Sequence, residues 1–160
     1  MGAGYHGGFG NTYGAVAGDA VYKSKPLTYF EYISKRPVKD AGGVYDIVAH
    51  GESNAIQFEH NGEIMALDAR TVARMLKNKK DYSKKQPIRL LSCSTGSDSL
   101  GFAQNLANKL GVVVEAPTKV VWACPNGDYF VAGRSTSNPN CPDYKNRGKF
   151  IKFYPGGNKK

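Results

Sequence analysis

Two residues stand out for the chemistry they could do. His50 supplies an imidazole and Cys93 a thiol, and each closes an apolar run. Val44-Tyr45-Asp46-Ile47-Val48-Ala49 leads into His50-Gly51, and Pro87-Ile88-Arg89-Leu90-Leu91-Ser92 leads into Cys93-Ser94-Thr95-Gly96. The thiolate is the reactive form of cysteine, so a nucleophilic Cys93 needs a base or a positive field nearby. His50 can act as that base and later return the proton as an acid. Gly51 lets a backbone amide approach a substrate carbonyl. The amide of Cys93 would be a second donor, completing an oxyanion hole worth about 3–4 kcal/mol per donor.

This chemistry requires both runs to be neighbouring parallel strands, so that the two side chains emerge at one sheet edge. Open α/β sheets place their ligands at such an edge. The intervening sequence supplies a connection. Residues 55–59 and 63–65 flank His60-Asn61-Gly62, and Asn-Gly between alternating segments predicts a hairpin. Asp68 suits a helix N-cap, with Leu67 stapling onto Val72 and Val72, Ala73, Met75 and Leu76 forming the apolar stripe. The helix should end in Asn78-Lys79-Lys80. After Cys93, Ser97-Asp98-Ser99 are cap candidates for a second helix. Phe102, Ala103, Leu106 and Leu110 recur at helical spacing, and Gly111 stands at the C-cap position. The N-terminus of that helix would favour a thiolate at Cys93 by about 0.3–1 kcal/mol.

Residues 112–116 read as a third strand, and residues 119–123 and 129–132 as a second hairpin around Pro125-Asn126-Gly127-Asp128. Residues 133–148 read as irregular, and residues 150–154 as a last edge strand. Strands alternating with helices predict an α/β fold, with a mostly parallel central sheet flanked by helices and accessory hairpins. Residues 1–20 are rich in Gly, Ala and Tyr and read as a flexible leader or linker remnant. Residues 21–160 then form one catalytic domain.

The chain has 160 residues, long enough for a core without disulfide or metal staples. Its three cysteines form no Cys-x-x-Cys pair, which argues against structural zinc, and no metal or other cofactor is expected. Cys124 and Cys141 each precede a proline, and whether they pair is left open. A net charge of +9, with lysines crowded in residues 77–85 and 145–160, suits either solubility or an anionic partner. No apolar run approaches the roughly 18 residues of a membrane span. Nor does a basic segment followed by an apolar one open the chain.

Plainer readings stand beside the chemical ones. Cys93 alone would be a small core residue, and His50 alone a structural histidine. His60 reads as a solvated hairpin-tip residue, and His6 lies in the Gly-rich segment. Ser92 and Ser94 are alternative nucleophiles, but no Gly-x-Ser-x-Gly frame surrounds them.

Taken together, the strand–His-Gly and strand–Ser-Cys arrangements resemble the caspase–hemoglobinase class (clan CD) of cysteine peptidases. Leu90-Leu91-Ser92-Cys93-Ser94-Thr95-Gly96, Phe102-Ala103-Gln104-Asn105-Leu106-Ala107, Glu115-Ala116-Pro117-Thr118 and Phe153-Tyr154-Pro155-Gly156-Gly157 are also similar to C-terminal toxin domains of bacterial polymorphic toxins, of the Rhs or contact-dependent-inhibition type. The resemblance runs from about Tyr45 to the C-terminus. It implies a caspase-like α/β sandwich, a His50/Cys93 dyad and a protein substrate in a target cell. It further implies delivery by a larger toxin protein into that cell's cytoplasm, and a cognate immunity protein. Ser94, Asp98 and Trp122 become candidate substrate-binding residues. The acidic residue that reads a basic P1 side chain in the wider class has three candidates here, Asp98, Glu115 and Asp128. The alternative activities are deamidation or transamidation of Gln or Asn by the same dyad, and a nucleic-acid-targeting toxin, such as a nuclease, acting through the basic surface.

Overall fold

The computed structural model describes residues 5–6, 16–17, 32–33, 36–37, 43–60, 63–80, 82–125 and 128–157. The hairpin tips at Asn61-Gly62 and Asn126-Gly127, and the side chains of His6 and His60, lie outside what is described. Short strands β1 (Tyr5–His6), β2 (Val16–Ala17) and β3 (Arg36–Pro37) precede β4 (Tyr45–Val48), β5 (Gly51–Glu52), β6 (Ala55–His60) and β7 (Glu63–Leu67). Helix α1 (Ala69–Lys77), β8 (Ile88–Leu91) and helix α2 (Phe102–Leu110) follow. The chain continues through β9 (Val114–Pro117), β10 (Val120–Ala123), β11 (Tyr129–Arg134), β12 (Pro142–Arg147) and β13 (Phe150–Phe153).

The fold is mixed α/β, with more strand than helix. Its central sheet has the order β13-β9-β8-β4, in which β4, β8 and β9 are parallel and β13 runs antiparallel at the edge. The β5–β6–β7 hairpin sheet and α1 connect β4 to β8, as the sequence pattern requires, and α2 connects β8 to β9. Successive strand residues face opposite sides of a sheet. Tyr45, Ile88, Leu90, Val114 and Phe153 therefore join α1 and α2 in one core. Leu91 and Cys93 enter a second core with Val121, Trp122 and Ala132.

That second core shows where the expected architecture needs correction. Helices α1 and α2 both lie in the first core, and helical Tyr32 and Ile33 lie in the second. The other side of the sheet is packed by a second, antiparallel sheet of order β12-β11-β10-β2. The hairpin expected over residues 119–132 forms as antiparallel β10 and β11, but all four residues of β10 are buried, so it lies inside the fold. Val16 and Ala17, within the Gly-rich stretch, pair with Ala123 and Trp122 at its edge. Strand β12 falls where irregular structure was expected. It borders only β11, across a register shift between Ala132 and Arg134, and residues 144–147 are exposed. An edge strand so placed has no apolar alternation to read.

Helix α1 begins as expected, with Asp68 Oδ1 accepting the Thr71 amide at 2.9 Å. That hydrogen bond holds the Asp68 carboxyl below its ordinary range. Helix α2 starts later than expected, at Phe102 with Gly101 as N-cap. Asp98 Oδ1 accepts from Leu100 N at 2.9 Å, so the carboxylate closes a local turn instead of capping the helix. The C-cap Gly111 has φ +69°, the left-handed conformation glycine adopts at least cost. None of the helices described is long and apolar enough to cross a membrane.

A row of alternating charges crosses the central sheet. Asp46 is opposite Arg89, Arg89 opposite Glu115, and Glu115 opposite Lys152. Asp46 is wholly buried, and Arg89 binds it through Nε–Oδ1 at 2.7 Å and Nη2–Oδ2 at 2.9 Å. Burial alone would lower the Arg89 pKa. The Asp46 hydrogen bonds, with Tyr129, Asp46 and Glu115 nearby, raise it above its ordinary value instead.

Removing one member of the pair leaves a buried uncompensated charge. Arg89→Met should cost about 3–5 kcal/mol, and the double variant Asp46→Leu/Arg89→Met distinctly less. Urea denaturation measures both, and equal losses would show that the pair itself is not what Arg89→Met breaks. The Asp68 cap has a different signature. Because its folded-state pKa is depressed, its contribution is present above the unfolded carboxyl pKa and is lost as pH falls through the folded one. The stability gap between wild type and Asp68→Ala should therefore close in acid.

Candidate active site

The parallel register between β4 and β8 pairs residues 43 apart in sequence, as in the Asp46–Arg89 hydrogen bonds. His50 and Cys93 are also 43 apart, each four residues beyond a member of that ion pair. The two loops do meet. A Cβ on Gly51 would stand 2.8 Å from Ser92 Cβ, 2.8 Å from Thr95 Cγ2 and 3.0 Å from the Cys93 carbonyl oxygen. Only a residue without a side chain fits there, so Gly51 is required by the approach of the cysteine loop.

His50 is half-buried and lies two residues beyond the end of β4; its carbonyl accepts the Gln57 amide at 2.9 Å. Gly51 opens β5 opposite Ile56. Cys93 is only 1% exposed, and its Sγ accepts the Val121 amide at 3.4 Å. The donor at the sulfur therefore comes from β10, a source the sequence did not suggest. The amides at the start of α2 have partners of their own. The first α2 amides serve backbone carbonyls, Phe102 N to Ser53 O at 2.8 Å and Ala103 N to Thr95 O at 3.3 Å. Helix α2 thereby clamps the cysteine loop to the β5–β6 turn.

The cysteine loop is built from tight local turns. Ser94 has φ +60°, unusual for a residue with a side chain. It is held by its amide donating to Lys119 O at 3.0 Å and by its carbonyl accepting from Ser97 Oγ at 2.8 Å. Thr95, wholly buried, donates its hydroxyl to Ser92 O at 2.9 Å. Gly96 lies against Ala116, and its amide donates to Pro117 O at 2.8 Å. Ser92 Oγ is buried with no hydrogen-bond partner among the described residues. Backbone strain and an orphaned hydroxyl on either side of Cys93 are features that cluster at functional sites.

The remaining candidates separate. Trp122 has no exposed surface. Its Nε1 donates to Ala132 O at 3.0 Å, and the Arg134 guanidinium sits 5.7 Å from the ring centroid. It is a core residue in this structure, which leaves it no surface to offer a substrate. Asp98 is exposed and occupied by its own turn. Glu115 faces Arg89 in the charge row, and the Asp128 carbonyl accepts the Cys124 amide at 3.2 Å. Cys93, Cys124 and Cys141 are all free thiols, so Cys124 and Cys141 are not bridged. Among the described residues no group of three or more His, Cys, Asp or Glu could hold a metal ion. Thr95, Ser53 and Val121 were missed by sequence reasoning. Their roles run through backbone groups and packing, which leave no motif.

The family described as Domain of unknown function (DUF8616) matches residues 21–131, well over half of the chain. The chain belongs to the DUF8616 family. No curated protein and no solved structure matches it. The DUF8616 span contains the Asp46–Arg89 pair, His50-Gly51, the Cys93 loop and β10, which supplies the sulfur's donor. It stops within β11, so β12 and β13 lie beyond it.

Two measurements follow from this packing. Gly51→Ala should destabilise by about 1–3 kcal/mol, because the added methyl meets three fixed neighbours. Thr95→Ser removes one of them and keeps the hydroxyl, so it should restore part of the loss in thermal melts. Native labelling with iodoacetamide should modify the half-buried Cys141 first, with Cys93 and Cys124 reacting only on local opening. Peptide mass spectrometry over time would reveal the order.

Proposed function

We propose that this chain is a cysteine-dependent hydrolase, a peptidase, in which His50 and Cys93 form a dyad. The observation that carries the reading is the meeting of the His50-Gly51 and Cys93 loops at the ends of the paired strands β4 and β8. The register locked by Asp46 and Arg89 ends at Val48 and Leu91, and the loops that carry His50 and Cys93 leave both strands at that same carboxyl edge of the sheet. The close approach of Gly51 to Ser92, Cys93 and Thr95 supports a juxtaposition of the two loops.

In this mechanism the Cys93 sulfur, deprotonated by His50, attacks the carbonyl carbon of a peptide bond. The amides of Gly51 and Cys93 stabilise the oxyanion. The imidazolium of His50 then gives its proton to the departing amine, leaving a thioester on Cys93. Water, deprotonated by His50, hydrolyses that thioester and regenerates the thiol. The Val121 amide favours the thiolate by donating to Sγ. Cys93 is 1% exposed, so this mechanism requires the cysteine loop to move before attack.

The caspase-like arrangement belongs to the same proposal. Parallel β4 and β8, each followed after one intervening residue by His50 or Cys93, support it, whereas the second sheet packed on the other side departs from a sandwich of one sheet between helices. Delivery by a larger toxin into a neighbouring bacterium, a protein substrate there and a cognate immunity protein complete it.

Expression of wild type, Cys93→Ala and His50→Ala in a sensitive bacterium tests the reading. Both variants should lose toxicity by roughly a hundredfold or more. N-terminal proteomics should find new protein termini with wild type alone. Full toxicity of Cys93→Ala would sink the proposal. Amide-to-acid mass changes without new termini would keep the dyad and replace peptidase by deamidase.

A further inference from the structure

The opposite end of β8 carries a second site. A cavity of about 660 Å³ lies among the C-terminal end of α1, the C-terminal end of α2 and the loop that enters β8. That volume is within the range of pockets that hold cofactor-sized ligands. Neither His50 nor Cys93 lines it.

Its wall is cationic. Lys77 comes from the last turn of α1 and Lys109 from the last turn of α2, while Lys84 and Lys85 come from the entering loop. Among the described residues none of the four pairs with a carboxylate; the ion pair described is Asp46–Arg89, in the central sheet. Lysine is a compact, strongly hydrated cation suited to phosphate oxygens. Four such charges around one concavity repel one another until an anion enters.

The wall is also held in place. Tyr82 packs edge-on against Tyr45 with ring centroids 5.1 Å apart, and its hydroxyl donates to Gln86 O at 2.8 Å. Gln86 ties the loop at both ends, with Oε1 accepting from Ser83 N at 3.0 Å and Nε2 donating to Gly43 O at 2.9 Å. Lys85 sits between them at φ +72°, a conformation a lysine adopts only when its surroundings impose it. Leu76, Leu110 and the Tyr82 ring supply apolar lining beside the charges.

We infer that this cavity binds a nucleoside di- or triphosphate, its phosphates held by Lys77, Lys84, Lys85 and Lys109 and its base against Leu76, Leu110 and Tyr82. Four lysines balance the charge of such a ligand, and the apolar lining accounts for a ring that inorganic phosphate lacks. The site is independent of the proposed hydrolase chemistry and stands or falls separately from it.

Isothermal titration of the full chain with ATP, GTP, inorganic triphosphate and adenosine tests the assignment. The expected result is one saturable site per chain for the nucleotides, weaker binding of inorganic triphosphate and none of adenosine. Lys84→Glu/Lys85→Glu should weaken nucleotide binding by roughly tenfold or more, as loss of charge-assisted contacts requires. Lys145→Glu/Lys149→Glu, the same charge change on exposed residues elsewhere, should leave it within about twofold. Thermal melts of each variant establish that it is folded. Absence of saturable nucleotide binding, equal losses in the two double variants, or binding only of oligonucleotides with affinity rising with length would each overturn the inference.

Discussion

Asp46 is a carboxylate with no exposed surface, and the carboxyl edge of the central sheet depends on how it is satisfied. A buried charge is tolerated only when paired and hydrogen-bonded. Arg89 does both with a two-pronged grip, from the one position on β8 that the parallel register brings opposite. A slip of one residue would turn Arg89 to the other face and place Ile88 or Leu90 against the carboxylate. The pair therefore selects one register among those that apolar packing alone would permit. Everything four residues downstream inherits that choice, including the meeting of Gly51 with the cysteine loop.

Part of this was legible in sequence because the chemistry and the packing share one offset. The apolar runs around Asp46 and Arg89 predicted two neighbouring parallel strands, and the hairpin and Asp68-capped helix between them are where the pattern put them. A charged residue inside each run was the unread part of the same signal. Asp and Arg at equivalent places in two buried strands reveal a pairing before any contact is seen.

The second sheet was harder to read. Val120-Val121-Trp122-Ala123 has no alternation because both of its faces are covered, so it resembles the strands of the parallel core more than an exposed hairpin. Strand β12 fails in the opposite way, since its exposed positions leave no hydrophobic period to find. The late start of α2 has a third cause. Ser97, Asp98 and Ser99 are good caps by type, but Asp98 is consumed by its own turn and Ser97 by the Ser94 carbonyl. Residue type alone does not tell a cap from a turn.

Burial of Cys93 changes what activation would mean for the proposed hydrolase. A thiol at the surface would need only a base, whereas this one is enclosed by residues of two sheets. The Val121 amide that would favour a thiolate belongs to the strand that also helps to shield it. Exposure and stabilisation thus oppose each other: moving β10 away frees the sulfur and removes its donor together. Moving the cysteine loop instead leaves β10 in place and works against the short hydrogen bonds at Ser97 and Gly96. Those contacts are local and few compared with the all-buried packing of β10, so the loop is the weaker side. Opening there also relieves strain at Ser94, which makes the 92–101 segment, clamped by Ser53 and Thr95 to the start of α2, the place where access to the thiol would be controlled.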